Sequence, residues 1–199
     1  MTKKVAVMLA DGFEEGESLF VIDIFRRAGF KCDGITINEE VVRGAHDIRV
    51  FSDKHVDDVN VADYDMIVLP GGQPGSDHLR DDERVVRLVQ DFAHDESKYV
   101  AAICAATQVL AKAGIAEGKK LTSYPLDKYR NLFTNANYID DNTAMEELVV
   151  VDGHLITSRG PASTLSFVYK LVEILGGDAE KLKEMMQYNA LKQSIRACQ

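Results

Sequence analysis

The amino-acid sequence predicts an α/β fold, a doubly wound sandwich built on a mainly parallel sheet. Apolar runs with strand character alternate along the chain with stretches of helical periodicity. The run at residues 65–69 is short and continuously apolar, which is typical of a parallel strand that is covered on both faces. We expect a single domain over residues 1–199, since no repeat, low-complexity segment or linker interrupts the pattern.

The first half of the chain predicts three strands, a hairpin region and two helices. The first helix begins in an acidic segment at Glu14 and ends at Gly29, because glycine commonly stops a helix. The third strand stops at the breaker cluster Pro70-Gly71-Gly72. Strands are expected at residues 4–9, 30–37 and 65–69, a less regular strand or hairpin at 41–51, and the second helix at 82–93.

The second half predicts a strand that runs directly into a helix, then a short strand, a strand pair and two further helices. The helix that follows Cys104 closes at Gly114, and the strand pair turns at Asp152-Gly153, a favourable turn dipeptide. Asp178 is the expected N-cap of the last helix. Strands are expected from residue 99 to the cysteine and at 120–123, 147–151 and 155–158, and helices at 163–175 and 178–187.

Cys104 stands where a short apolar strand passes into a helix. The free amides and the positive end of that helix favour a thiolate, which is the reactive form of cysteine. The opposing interpretation is an inert cysteine buried at the end of a core strand. Ligands of such folds bind beyond the carboxyl ends of the strands, where the turns at residues 10–12 and 70–72 are also expected. We therefore favour the reactive cysteine.

Composition and charge argue against several functional classes. The chain of 199 residues has a formal net charge of -9 and no basic stripe, which argues against nucleic-acid binding. No apolar stretch has membrane-spanning length, and the run before Asp11 is too short for a secretory signal. The three cysteines, Cys32, Cys104 and Cys198, lack metal-ligand spacing. We expect no metal, a reduced cytoplasmic setting, a buried Cys32 and an exposed Cys198.

Four segments of the sequence together resemble a known family. They are residues 10–17 (ADGFEEGE), 69–72 (LPGG), 101–105 (AAICA) and 157–161 (TSRGP). In this order and spacing they resemble the ThiJ/PfpI family, within it the branch of the parkinsonism-associated protein deglycase and its bacterial homologues. The resemblance extends from about Lys4 to about Gly177. It implies a flavodoxin-like three-layer sandwich and a homodimer.

The resemblance also implies roles for individual residues. Cys104 matches the family's nucleophilic, oxidation-prone cysteine, and Glu17 matches the glutamate whose protonated carboxyl group hydrogen-bonds the sulfur. Gly71 and Gly72 match the glycine pair whose backbone amides line the site like an oxyanion hole, and the amide of Ala105 is a further candidate donor. Kept neutral beside a thiolate, Glu17 can donate to the sulfur and pass a proton to a substrate oxygen.

Residues around these motifs are given lesser roles. Glu14 and Glu15 are expected at a solvated helix start or a dimer contact, and Arg27 is a candidate anion contact at the dimer interface. Tyr124 stands where many family members carry a histidine, and it is expected to form a wall of the site. A tyrosine hydroxyl is a poor general base at neutral pH, so a Cys–His dyad is absent at this place. Cysteine peptidase activity is therefore poorly supported.

Two functions remain open from the sequence. The leading one is cofactor-free handling of reactive carbonyls such as methylglyoxal or glyoxal, by a lyase or hydrolase of the glyoxalase or deglycase type. Cys104 would attack the aldehyde, or a glycated substrate, while Glu17 moves the proton. The alternative is a redox-responsive stress protein or chaperone in which Cys104 senses peroxide.

Overall fold

A computed structural model describes residues 2–140 and 148–197 of the chain. Glu147, the first residue of one predicted strand, and Cys198, which is predicted to be exposed, lie outside the described residues. No helix in the described ranges combines the length and the apolar character that a membrane crossing requires.

A mainly parallel sheet forms the centre of the fold. The strands are β1 (Lys4–Leu9), β2 (Lys31–Thr36), β3 (Val41–Arg43), β4 (Arg49–Phe51), β5 (Lys54–His55), β6 (Met66–Leu69), β7 (Tyr99–Ile103), β8 (Lys120–Leu121), β9 (Asn137–Tyr138), β10 (Val149–Asp152) and β11 (Leu155–Ser158). Within the described ranges, seven of them form one sheet in the order β10-β11-β7-β6-β1-β2-β5. Every neighbouring pair in it is parallel except β10 and β11, which form the predicted antiparallel pair.

Helices cover both faces of this sheet. They are α1 (Glu15–Arg27), α2 (Gly75–Asp81), α3 (Glu83–His94), α4 (Thr107–Lys112), α5 (Asp127–Arg130), α6 (Thr164–Ile174), α7 (Ala179–Met185) and α8 (Tyr188–Ala197), with 3-10 turns at Val56–Asp58, Val61–Asp63, Cys104–Ala106, Asn131–Phe133 and Pro161–Ser163. The predicted α/β sandwich with a mainly parallel sheet is thereby confirmed.

Alternation along β1 divides the core into two layers. Val5 and Val7 point to one face, where they join buried side chains of α1 and α6. Ala6 and Met8 point to the other face and pack with buried residues of α3 and α4. This division follows from the strand period of two, because neighbouring residues of a strand face opposite sides of the sheet.

Several short elements were not predicted. The region at 41–51, predicted as a less regular strand or a hairpin, is the antiparallel hairpin of β3 and β4. The edge strand β5 was not predicted, because its two residues are too few to show a periodicity. Helix α2 begins directly after the breaker cluster and Pro74, which reads as loop in the sequence. Helix α8 was missed because no residue of it is buried.

The carboxyl ends of three adjacent strands meet at one edge of the sheet. β7, β6 and β1 are consecutive and parallel, so the turns that follow Ile103, Leu69 and Leu9 lie side by side. The amide of Glu14 donates to the carbonyl of Gly71 at 2.9 Å, which ties two of these turns together. The predicted convergence of the three turns is therefore observed.

Candidate active site

Cys104 begins the 3-10 turn that links β7 to α4, and its backbone is left-handed, with φ of 62°. A non-glycine residue in this region costs about 1–2 kcal/mol, so the surrounding structure must hold it there. The turn leaves the side chain buried, at 8% exposure, with the amides of Ala105 and Gly72 hydrogen-bonded to the sulfur. The sulfur thus lies at the strand-end edge and faces two backbone donors.

Glu17 lies in the first turn of α1 and is completely buried. One carboxyl oxygen, Oε2, accepts a hydrogen bond from the amide of Gly71 at 2.8 Å. The other, Oε1, has no well-aligned donor among the described residues. The carboxyl group is nevertheless close enough to the Cys104 sulfur for each to shift the pKa of the other.

Burial dominates the electrostatics of this pair. It raises the pKa of Glu17 from 4.5 to about 7, and the charge of Glu14 adds to the rise, against the hydrogen bonds from Gly71 and Cys104. Burial also raises the pKa of the Cys104 thiol well above its ordinary value, and the nearby Glu17 charge raises it further. The expected amide donors to the sulfur are present, but they do not outweigh burial. Part of the rise comes from the Glu17 charge, so the thiolate predicted for the resting site requires a protonated Glu17 and stays a prediction.

Gly71 and Gly72 are required for two different reasons. A Cβ at Gly71 would lie 2.7 Å from Glu17 Oε2 and 2.8 Å from the Cys104 Cβ, so only glycine lets the pair approach. Gly72 has φ of +93°, and a Cβ there would lie only 2.2 Å from the amide nitrogen of Glu14. The Gly71 amide is committed to Glu17, whereas the Gly72 amide reaches the sulfur.

Tyr124 lies beside the cysteine, as a wall residue would. Its amide donates to the carbonyl of Cys104 at 3.3 Å, and its side chain is 37% exposed. The ring makes an edge-to-face contact with Tyr129, with ring centroids 6.4 Å apart. A Cβ added to Gly160 would come within 3.3 Å of the same ring, so Gly160 leaves it room.

Glu15 is buried rather than solvated, which corrects the expectation for the helix start. It accepts two hydrogen bonds from His46, at 2.6 Å from the backbone amide and at 2.8 Å from ring Nδ1. Glu14 Oε2 lies 3.9 Å from the same Nδ1. Within the described ranges these three residues are the group whose metal-binding atoms come together, within 4.8 Å. No sequence signal identified this pairing, because His46 lies 31 residues away from Glu15.

The remaining residues to be placed are Arg27, Arg159 and Cys32. Arg27 is half-exposed and paired with Asp23 at 2.7 Å, and it lies about 15 Å along the helix axis from Glu17. Arg159 is buried and donates to the carbonyl of Asp140 at 3.2 Å. Cys32 is buried in β2, as predicted, where burial raises its pKa to about 12.

The fold and the pair of Cys104 and Glu17 define a class of protein. It is an α/β sandwich with a buried cysteine at a strand–helix junction and a glutamic acid beside it. Residues 3–174 match the model of the DJ-1/PfpI family, and the chain belongs to that family. This confirms the resemblance of the four sequence segments.

Individual relatives cover almost the whole chain. The Drosophila melanogaster protein dj-1beta is 41% identical over 186 residues, which are 93% of this chain and 95% of the relative. Protein/nucleic acid deglycase 2 of Escherichia coli (strain K12) is 35% identical over 180 residues, 88% of this chain and 99% of the relative. The crystal structure of Drosophila melanogaster DJ-1beta superposes with a TM-score of 0.85 at 36% identity, covering 94% of this chain and 98% of that one.

Proposed function

We propose that the protein converts small reactive carbonyls such as methylglyoxal, or the corresponding glycated adducts, with Cys104 as nucleophile and Glu17 as proton shuttle. The observation that carries the proposal is a fully buried carboxyl group with a pKa of about 7 beside a buried thiol. A general acid–base group works best when its pKa lies near the working pH. A relative named as a deglycase supports the same class of chemistry.

The first step makes a thiohemiacetal. The ionised Glu17 accepts the thiol proton as the Cys104 sulfur bonds to the aldehyde carbon, and the carbonyl π electrons move to its oxygen. The protonated Glu17 then returns that proton to the oxygen. Because the proton passes between two groups in contact, a high thiol pKa does not prevent attack. The amides of Gly72 and Ala105, which already bond to the sulfur, are the nearest donors for the developing charge.

The second stage is redox-neutral within the substrate. For methylglyoxal, Glu17 removes the proton from the former aldehyde carbon and delivers a proton to the neighbouring carbon through an enediol, which leaves a thioester of Cys104. Water then cleaves the thioester, giving lactate and the free thiol. The sum is methylglyoxal plus water to lactic acid, without an external oxidant or reductant.

The decisive experiment measures lactate formed from methylglyoxal by the intact protein. We expect Cys104→Ser to abolish turnover and Glu17→Gln to lower kcat by at least about 100-fold, the usual contribution of a positioned acid–base group. Cys32→Ala is the matched control, since it removes a second buried thiol that lies outside the site. Full activity in both site variants would refute the proposal, as would loss of activity in the control alone.

A second candidate is peroxide sensing by Cys104, in a stress protein or chaperone. The two amides on the sulfur favour it, because they could also bind the oxygens of a sulfinate. Burial and the raised thiol pKa disfavour it, because oxidation proceeds through an accessible thiolate. Intact mass after mild peroxide separates the two: a gain of two oxygens confined to Cys104 supports sensing, and unselective oxidation removes it.

We further propose that the chain is a single domain that acts as a cytoplasmic homodimer. Two large apolar side chains on α1, Leu19 and Phe20, are 36% and 44% exposed, and a second copy would cover them. Arg27 on the same helix remains the candidate anion contact at that interface. Light scattering at micromolar concentration tests the dimer: a monomer mass would contradict it, and Phe20→Ser should weaken association.

A further inference from the structure

A half-open cavity of about 580 Å³ lies between α2, α4 and α5, next to the candidate active site. The polar part of its lining consists of Asp77, Arg80, Gln108, Lys112, Lys128 and Tyr129. We call it the basic cavity. Three cations and one carboxylate line it, although the chain as a whole has 32 acidic and 23 basic residues. The local charge is therefore opposite in sign to that of the protein.

Two of the three cations have no carboxylate partner within the described ranges. Arg80 is engaged, since it binds Asp81 at 2.6 Å, Gln108 at 2.7 Å and Asp77 at 3.2 Å. Lys112 and Lys128, in contrast, form no salt bridge with any carboxylate of the described ranges. The Lys128 ammonium lies 4.6 Å from the centre of the Tyr129 ring, which holds it at the cavity wall.

The third element is a buried hydroxyl. Tyr129 is only 4% exposed, and its hydroxyl oxygen accepts a hydrogen bond from Gln73 Nε2 at 2.9 Å. The same nitrogen also lies 2.9 Å from Ser76 Oγ and 3.3 Å from Asp77 Oδ1, so it faces acceptors on each of its other sides. The Tyr129 proton is then free to be donated, and it has no acceptor among the described residues. Because its oxygen already accepts from Gln73, the hydroxyl can donate its proton to a ligand atom in the cavity.

We propose that the basic cavity binds a small phosphate-bearing molecule. Two ammonium groups match the charge of a phosphate dianion, and the Tyr129 hydroxyl supplies a directional hydrogen bond to one of its oxygens. A carboxylate ligand would favour a guanidinium fork, and the fork of Arg80 is already taken by Asp81. A polyanion such as RNA is disfavoured, because the net charge of -9 would repel its extended backbone.

The cavity is connected to the candidate active site through two short paths. Gln73, which bonds Tyr129, directly follows Gly72, whose amide reaches the Cys104 sulfur. Gln108 lies one helical turn after Cys104 and bonds Asp77 at 2.8 Å. The binding proposal does not depend on the chemistry at Cys104 and holds or fails separately from it.

The test is titration of the full chain with inorganic phosphate, followed by NMR at constant ionic strength and pH 7.5. We expect saturable binding of one phosphate with a Kd on the order of 1 mM, centred on the amides of α4 and α5. Lys112→Gln with Lys128→Gln should weaken binding about tenfold, and Tyr129→Phe about fivefold, while Lys31→Gln, an exposed lysine on the first residue of β2, should leave it unchanged.

Thermal unfolding of each variant checks that the fold is retained. Tyr129→Phe keeps the buried ring, so its weaker binding would reflect the hydroxyl alone. The proposal is overturned if the wild-type protein shows no saturable phosphate binding, or if the lysine double variant binds as tightly as the wild type. Binding of anionic lipid vesicles with no response to inorganic phosphate would also overturn it.

Discussion

Glu15 and Glu17 lie two residues apart at the start of α1, and both are buried. Their pKa values nevertheless shift in opposite directions from the ordinary value. Burial acts to raise the pKa of each. At Glu15 the hydrogen bonds and charge of His46 outweigh burial, and the pKa is lowered. At Glu17 the neighbour is a thiol instead of a cation, so burial prevails and the pKa rises to about 7.

The difference shows that the partner, more than the depth of burial, decides what a buried carboxyl group can do. A carboxylate paired with an imidazole is fixed in its ionised form and stabilises the fold. One left beside a weak acid can hold or release a proton near neutral pH, which costs stability and allows proton transfer.

The largest expected effect is that of Glu17→Gln. Since the folded pKa is about 7 and the ordinary value 4.5, the folded protein binds the extra proton between these pH values. The free energy of unfolding of the wild type should therefore fall by about 3 kcal/mol as the pH rises from 4.5 to 7 and above. The glutamine variant lacks this loss, so urea unfolding at pH 8 should find it more stable than the wild type.

Although the Glu17→Gln variant should be more stable at pH 8, its catalysis should be weaker, with kcat for lactate formation lowered by at least about 100-fold. A glutamine that lowers stability at pH 8, or that leaves the pH dependence of unfolding unchanged, would show that Glu17 is ionised in the folded protein at low pH. The contrast with Glu15 would then disappear.

Glu15→Gln should have a smaller and opposite effect on stability. The buried carboxylate accepts two hydrogen bonds from His46, and its loss should lower the free energy of unfolding by about 1–3 kcal/mol at pH 7. Because the folded pKa is lowered, this contribution is present above pH 4.5 and disappears as the pH falls through the folded pKa. Urea unfolding at pH 7 and at pH 3 measures it, and an equal difference at both values would contradict the ion pair.

The smallest effect concerns His46, whose side chain is 71% exposed. Hydrogen bonding and charge from Glu15, with help from Glu14, raise the pKa of its imidazole above 6.5. The stability that it contributes is complete below 6.5 and disappears as the pH rises through the folded pKa. An NMR titration should show the His46 pKa falling towards 6.5 in Glu15→Gln and, for the wild type, in high salt. An unchanged His46 pKa in the Glu15→Gln variant would show that the two side chains do not interact in solution.

Local signals in the sequence were sufficient for much of the fold. Strand β1 was predicted at its observed bounds, Lys4–Leu9, because an uninterrupted apolar run ends there at a turn. The convergence of the strand-end turns followed from the rule for parallel sheets. Helices α2 and α8 were not predicted, because the first follows a breaker cluster and the second buries no side chain.

The site was predictable where sequence motifs define it and not where distant segments meet. Cys104, Glu17 and the two glycines were named from their motifs, and the structure places them together. The depth of burial, which raises the pKa of the cysteine, could not be predicted, since helix amides are visible in a sequence but burial is not. The bond between Glu15 and His46 joins a helix start to a hairpin loop, which only tertiary structure reveals.

Because the backbone of Cys104 is left-handed, the direction of its side chain is set first by the main chain and only then by the χ1 rotamer. Serine or alanine at this position would inherit the same unfavourable dihedral angle, and only glycine would release it. The chain thus keeps a cysteine at position 104, where the backbone conformation alone would favour glycine. In engineering terms, position 104 is where a screen for heat resistance alone would select against the thiol.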